Sequence, residues 1–333
     1  MKKLVLTLMA SSMLLAQGVV NVYTSRHYDS DKIVFDAFTA KTGIKVNLVQ
    51  DKIDPLLNKL EQEGKDTSAD LFMTVGAGDL YKAKTKGLLQ AYSSKVVDEI
   101  VPQKFKDKDK TWAAITYRAR VFVYDPKQID AKELSTYEDL ANAKFKGKVL
   151  TRSSTSSYNR HLIAFMITKD GVEKTQNWAN KLVANFARDP KGNDRDQAKA
   201  IVAGNGAIAI MNSYYLGRMS VSKDPIEQEV FKKLKIFFPN QNDGGTHINI
   251  SGAGITKYAK NIKEATALME FLLSKEAQNI LAQTNYEFPV NSKASPAEVV
   301  KSWGEFKASE IDFNDIAKNL EQAQVIADKA LWK

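Results

Sequence analysis

Between Val19 and Lys86 the chain repeats one rhythm three times, a short apolar run followed by a segment of helical periodicity. Val19 to Tyr23 (VVNVY) reads as a strand. Ile33, Val34, Ala37 and Phe38 then recur at helical spacing, with Asp29, Ser30 and Asp31 as candidate caps. Thr42 and Gly43 stop that helix, and Ile44 to Val49 gives the second strand. A polar turn from Asp51 to Pro55 leads into a helix with Leu56, Leu57 and Leu60 on one face. Ala69 to Val75 (ADLFMTV) is the third strand, and Gly76, Ala77 and Gly78 open a helix that runs to Lys86. Strand–helix alternation of this kind demands a parallel, doubly wound α/β sheet.

The pattern changes at Trp112 to Tyr124 (WAAITYRARVFVY), a strand-like alternation that predicts a crossing into a second lobe. Beyond it come a short helix at Tyr137 to Ala143, a strand at Gly147 to Leu150, and a hydroxyl-rich turn running into an apolar helix. Helices are expected at Val172 to Ala184 and Gln197 to Gly204. A strand at Ile248 to Ile255 (INISGAGI) returns to the first lobe, and helices at Ile262 to Leu273, at Glu276 to Gln283 and from Pro296 onward complete the chain. With 333 residues, 44% of them apolar, there is enough material for two cores.

Gly204 to Met219 (GNGAIAIMNSYYLGRM) carries the densest chemistry. Ala207 to Met211 is an uncharged apolar run, the pattern of a buried strand. Asn212 and Ser213 interrupt it, and Tyr214 and Tyr215 follow just past its end, where ligands bind in α/β sheets. Phenol normally titrates near ~10, yet a bound cation strips its proton at neutral pH. The same dipeptide also suits plain packing with satisfied hydroxyls.

Two further strand–turn–helix junctions offer similar groups. Arg26, His27 and Tyr28 follow the first strand. Ser153 to Ser157 precede Tyr158, with Arg152 before them and His161 one turn on. Hydroxyls and free amides at a helix start suit an anion, and Tyr158 is a candidate ligand. Asp51 and Asp54 are further oxygen donors that also suit a helix start. His161 and His247 are read as structural.

Several classes drop out. Lys2 and Lys3, an uncharged run from Leu4 to Ala16 and the small-x-small Ala16, Gln17 and Gly18 spell a secretory signal peptide, residues 1–18. The mature chain is expected to start near Val19 in a periplasm. The net charge of +9 falls by two with that peptide. The remaining lysines are scattered, with no arginine cluster or interleaved aromatics, so nucleic acid is not the expected partner. There is no cysteine, which removes disulfides and thiolate metal chemistry. No later run is long enough to span a membrane. A nucleophile elbow and a His-Glu-x-x-His helix are both missing, so the expectation is a protein that is not an enzyme.

Fe(III) is a hard trivalent ion that pairs with charged oxygen donors and imidazole, and tyrosinate ligates ferric iron in a haem enzyme. Four phenolates exceed its charge by one, a surplus that a nearby arginine offsets.

The chain resembles the periplasmic ferric-iron-binding proteins that feed ABC transporters, a bacterial transferrin-like group. The pieces that carry the likeness include VYTSRHYDSD at 22–31, ADLFMTVGAGDLYKA at 69–83, GKVLTRSSTSSYNRHLIAFMI at 147–167, GAIAIMNSYYLGRM at 206–219 and NISGAGITKYAKN at 249–261. The resemblance implies an α/β, two-lobed periplasmic binding protein of type II, each lobe a sheet flanked by helices and joined by hinge strands. The lobes would be 19–117 with 246–290, and 118–245 with 291–333. It implies Fe(III) as transported ligand, held by His27, Tyr28, Tyr158, Tyr214 and Tyr215. One branch of the family uses a carboxylate, whose slot falls near Asp54, together with an exogenous anion. The presence of both Tyr28 and Tyr158 matches the multi-tyrosine branch that needs no anion, with Arg118 or Arg120 balancing charge. An ABC permease and its ATPase are the implied partners of a monomer. The rival expectation is a protein of the same fold that binds a small oxyanion through the Ser153 to Ser157 turn and Arg152.

Overall fold

The computed structural model describes residues 18–333, so the expected signal peptide lies outside the described residues except for Gly18. The first lobe begins with β1 (Val19–Thr24), α1 (Asp29–Thr42), β2 (Lys45–Gln50), α2 (Ile53–Glu63), β3 (Leu71–Thr74), α3 (Ala77–Thr85) and α4 (Lys95–Ile100). The long β4 (Ala113–Tyr124) leads to β5 (Val149–Leu150), α5 (Ser157–Asp170), α6 (Val172–Ala184) and α7 (Asp194–Val202). Then follow β6 (Ile208–Asn212), α8 (Ser213–Ser220), α9 (Pro225–Lys233), β7 (Lys235–Phe237) and β8 (Ile248–Ile255). The chain ends with α10 (Ile262–Leu272), α11 (Lys275–Asn285), β9 (Phe288–Pro289), α12 (Glu298–Lys301), α13 (Phe313–Lys318) and α14 (Leu320–Lys329).

The expected parallel start is present: β1 pairs in parallel with β2 on one side and β3 on the other. The strand order is β2-β1-β3-β8-β4-β6-β5, with β7 and β9 also paired to β4. β8 is antiparallel to both β3 and β4. It lies so close to its neighbours that a Cβ on Gly254 would sit 2.5 Å from the Thr111 carbonyl oxygen, and only glycine fits there.

β4 is the crossing element. Its residues up to Ala119 pair with β8, and from Arg120 onward the partner is β6. One strand therefore belongs to two sheets, and Arg118 and Arg120 sit on the same face of it, on either side of the change.

Two hydrophobic clusters fill the lobes. One gathers Val22, Phe38, Leu56, Leu60 and Phe72 around the first sheet and continues across β4 to Met211 of β6 and Leu216 of α8. The other gathers Phe122, Tyr137, Phe165, Trp178, Ile210 and Trp332. Each such side chain, fully buried, is worth about 1.5–3 kcal/mol of transfer free energy. α5 is apolar nearly all round because it packs on α6, α13 and α14, and Leu162 through Ile167 are all buried.

Local expectations are corrected in places. The predicted helix at Tyr137 to Ala143 is a pair of 3-10 turns, Tyr137–Ala141 and Ala143–Phe145, because the Asn142 side chain accepts from the Lys144 amide and starts a new turn. The strand expected from Gly147 is only Val149–Leu150. Asp29, Ser30 and Asp31 do not cap α1, whose N-cap is Tyr28 with no side-chain cap bond. Instead Asp31 pairs with Arg26 at 2.7 Å, and Ser30 donates to Asn285 at 2.9 Å.

Candidate metal centre

Three segments deliver aromatic oxygens to one cleft. The turn after β1 carries His27 and Tyr28, the first turn of α5 carries Tyr158, and the first turn of α8 carries Tyr214 and Tyr215. In each case the functional side chains sit at or just before a helix N-terminus: Tyr28 is the N-cap residue of α1, Tyr158 the second residue of α5, and Tyr214 and Tyr215 the second and third of α8. All five line one cavity of about 420 Å³, together with Arg152, Asn193, Arg195 and Arg218.

Within it, the hydroxyls of Tyr158 and Tyr214 are 3.3 Å apart. The Tyr214 and Tyr215 rings lie at 4.2 Å between centroids, and those of His27 and Tyr28 at 5.2 Å. Tyr214 is buried, Tyr28, Tyr158 and Tyr215 are half-buried, and His27 is exposed at the mouth.

Burial, the largest cause, pushes the Tyr28, Tyr214 and Tyr215 phenols above their ordinary range. Mutual repulsion adds to it: Tyr214 is raised further by Tyr28, Tyr158 and Tyr215. Tyr28 is raised by the buried Glu287, and Arg118 opposes that effect. At neutral pH these phenols hold their protons until something with a high positive charge displaces them. Among the described residues no group of three His, Cys, Asp or Glu is placed to hold a metal ion.

Guanidiniums surround the oxygens. Arg26 lies 4.8 Å from the Tyr28 ring centroid, Arg152 5.0 Å from that of Tyr158, and Arg195 5.9 Å from that of Tyr215. The two arginines singled out in the sequence behave differently. Arg120 is neutralised by Asp194 at 2.9 Å and also donates to Asn159 and Asn212. Arg118 makes no ion pair among the described residues and donates to the Val75 carbonyl. Of the two, Arg118 is the one with charge to offer.

Other expectations fall away from the site. Asp54 pairs with Lys82 at 2.7 Å on the surface, and Asp51 is exposed and accepts from the Lys52 amide. His161 and His247 are buried and held neutral by desolvation, as expected of structural histidines. In the Ser153 to Ser157 turn, the amides of Ser154, Thr155 and Ser156 already donate to Lys333, Ser153 Oγ and Ser153 O. The rival oxyanion reading loses those donors. Sequence reasoning missed Asp194, Arg195, Arg218 and Glu287. Asp194 carried a weak signal, the Asn193/Asp196 capping box that fixes the start of α7 beside it.

Two lobes that share a crossing strand, with ligand-type side chains from separate segments meeting in one cleft, define a solute-binding protein. The chain belongs to the bacterial extracellular solute-binding protein family, which it matches over residues 66–319. It is 41% identical to iron uptake protein A1 of Synechocystis sp. over 95% of this chain and 88% of that one. A Trichodesmium protein (IdiA, FutA), solved in complex with iron and citrate ligands, is 44% identical and superposes with a TM-score of 0.91, over 95% of this chain and all of that one. The ferric binding protein from Campylobacter jejuni is 43% identical with a TM-score of 0.88, over 94% of this chain and all of that one.

Proposed function

We propose that the protein captures Fe(III) outside the cytoplasm with His27, Tyr28, Tyr158, Tyr214 and Tyr215 and delivers it, as a monomer, to an ABC-type importer. The observation that carries this reading is the meeting of four phenols in one cleft, with Tyr158 and Tyr214 in hydroxyl contact at 3.3 Å. The names of the similar proteins, an iron uptake protein and a ferric binding protein, support the choice of metal.

The chemistry follows from charge. Loading brings in three positive charges and releases one proton from each of four phenols, so the site becomes more negative by one. Arg118, with no carboxylate partner among the described residues, faces that surplus. His27 adds a neutral nitrogen donor. We assign 19–117 with 246–290 to one lobe and 118–245 with 291–333 to the other. The ion then draws His27 and Tyr28 on the first lobe toward the tyrosines on the second, and closure about β4 and β8 presents both lobe surfaces to the permease and its ATPase. Residues 1–18 act as the export signal in this reading.

The test is metal analysis and a visible spectrum after adding ferric citrate to apo-protein. Wild type should take up one iron and show a phenolate-to-iron charge-transfer band. Tyr214→Phe with Tyr215→Phe keeps both rings and removes both oxygens. Unchanged iron content in that variant would refute the assignment, and a colourless wild type that binds oxyanion would favour the rival.

A further inference from the structure

Tyr158 also lines a second and much smaller cavity, together with Arg118, Arg120, His161, Asn212, His247 and Asn249. It leaves about 10 Å³ for the centre of a water-sized sphere, room for a single small occupant. Apart from half-buried Tyr158, its lining is more than nine-tenths buried: Arg118 is 3% exposed, Arg120 2%, Asn212 4% and His247 3%.

The lining is unbalanced toward donors. Arg118 Nε and Nη1, Arg120 Nε and Asn212 Nδ2 have no acceptor among the described residues. The Asn212 amide is oriented by its own Oδ1, which accepts from Arg120, so Nδ2 is the free end. Among the acceptors of the lining, His161 Nε2 and His247 Nδ1 also lack partners but make no hydrogen bond to these donors, and the Asn249 oxygen is engaged elsewhere. Asn249 Oδ1 takes the amides of Ala77 and Ile250. His161 Nδ1 bonds the Ser157 carbonyl, and its Nε2 lies against Gly78, where an added Cβ would meet it at 2.7 Å.

Charge points the same way as hydrogen bonding. No carboxylate lines the cavity. Asp194 is tied to Arg120 and Asn212 by its Oδ2. Asp79 feels the charge of Arg118 but accepts from Thr74 and lies outside the lining. Arg118 therefore brings a buried positive charge with no anionic partner in contact, a costly arrangement. A water molecule accepts two hydrogen bonds and carries no charge. A monatomic anion accepts from all the free donors and neutralises the guanidinium.

We propose that this cavity binds a single halide ion, chloride under ordinary conditions, at the point where β4 passes from one sheet to the other. Its ligands would be Arg118, Arg120 and Asn212, with His247 closing one side. These groups come from β4, the end of β6 and the turn before β8. The ion would tie together the strands that join the lobes. The inference concerns the metal-free protein: once the larger cleft is loaded, Arg118 turns its charge to the surplus described above and the ion would leave.

Crystals of the metal-free full chain, soaked in sodium bromide and measured at the bromine absorption edge, test it directly. An anomalous peak within hydrogen-bond reach of Arg118 Nε and Asn212 Nδ2 is the expected result. Peaks confined to the surface, or density for water alone in the cavity, would overturn the proposal. In solution, apo-protein in sodium chloride should unfold at higher temperature than in sodium gluconate of equal ionic strength, and Arg118→Gln should abolish the difference. Equal midpoints for wild type in the two salts would also overturn it.

Discussion

The phenol oxygens of Tyr158 and Tyr214, 56 positions apart in the chain, lie 3.3 Å from each other at the start of two different helices. Two hydroxyls so placed share a hydrogen bond while protonated and repel once ionised. The pair is thus stable as it stands and becomes a site for cation only when both protons leave. The order of iron retention should be wild type, then Tyr158→Phe or Tyr214→Phe alone, then the double variant. The second substitution should cost less than the first, because each removes part of one shared centre. Competition against a chelator measures all four proteins.

Proton release sets the pH dependence. If all four phenols give up a proton, the logarithm of the apparent iron affinity should rise with pH with a slope of about four, once the chelator's own protons are subtracted. Tyr158→Phe should lower that slope by one. A slope that does not change on removing a phenol would show that the residue is not a ligand.

Arg118 and Glu287 should act in opposite directions. Loading makes the cleft more negative, so the unpaired Arg118 favours it and the buried Glu287, which raises Tyr28, opposes it. Arg118→Gln should weaken iron binding and Glu287→Gln should strengthen it, each by about tenfold, on the order of 1.4 kcal/mol. Thr116 can still donate to the amide oxygen of the glutamine, as it does to Glu287 at 2.7 Å, so the second variant should fold.

The apo-protein should weaken at alkaline pH. Tyr28, Tyr214 and Tyr215 ionise above the ordinary phenol range in the fold, and near ~10 in the unfolded chain. Stability from this source is therefore complete below pH ~10 and is lost as pH rises past it, since the folded state holds more protons there. Tyr214→Phe should flatten the decline in thermal midpoint measured against pH.

An acid limit comes from the histidines. Burial lowers His161 from 6.5 to about 4 and holds His247 well below its ordinary value. The unfolded chain binds those protons first, so stability present above pH 6.5 is lost as pH falls toward 4. For His161 this amounts to about 3 kcal/mol. His161→Gln should show a shallower loss between neutral and acid pH in denaturant titrations.

Sequence alone determined the periodic elements and the identity of the aromatic oxygens. The β–α rhythm from Val19 to Lys86 dictated a parallel start because each short apolar run is followed by a helix with one apolar stripe, although only β1 and β3 are largely buried and β2 is an exposed edge strand. Val172–Ala184 and Ile248–Ile255 were legible to the residue for the same reason. Tyr214 and Tyr215 stood out because an uncharged run ended abruptly in front of them. The tertiary structure alone decided which charges are free. Asp194 cancels Arg120 from 74 positions away, and Arg118, two residues along the same strand, meets no such partner among the described residues. Nothing local distinguishes those two arginines. Pairing between buried charges depends on distances that only the folded sheets set, and on a low-dielectric interior where a few ångströms separate a neutral pair from an exposed field.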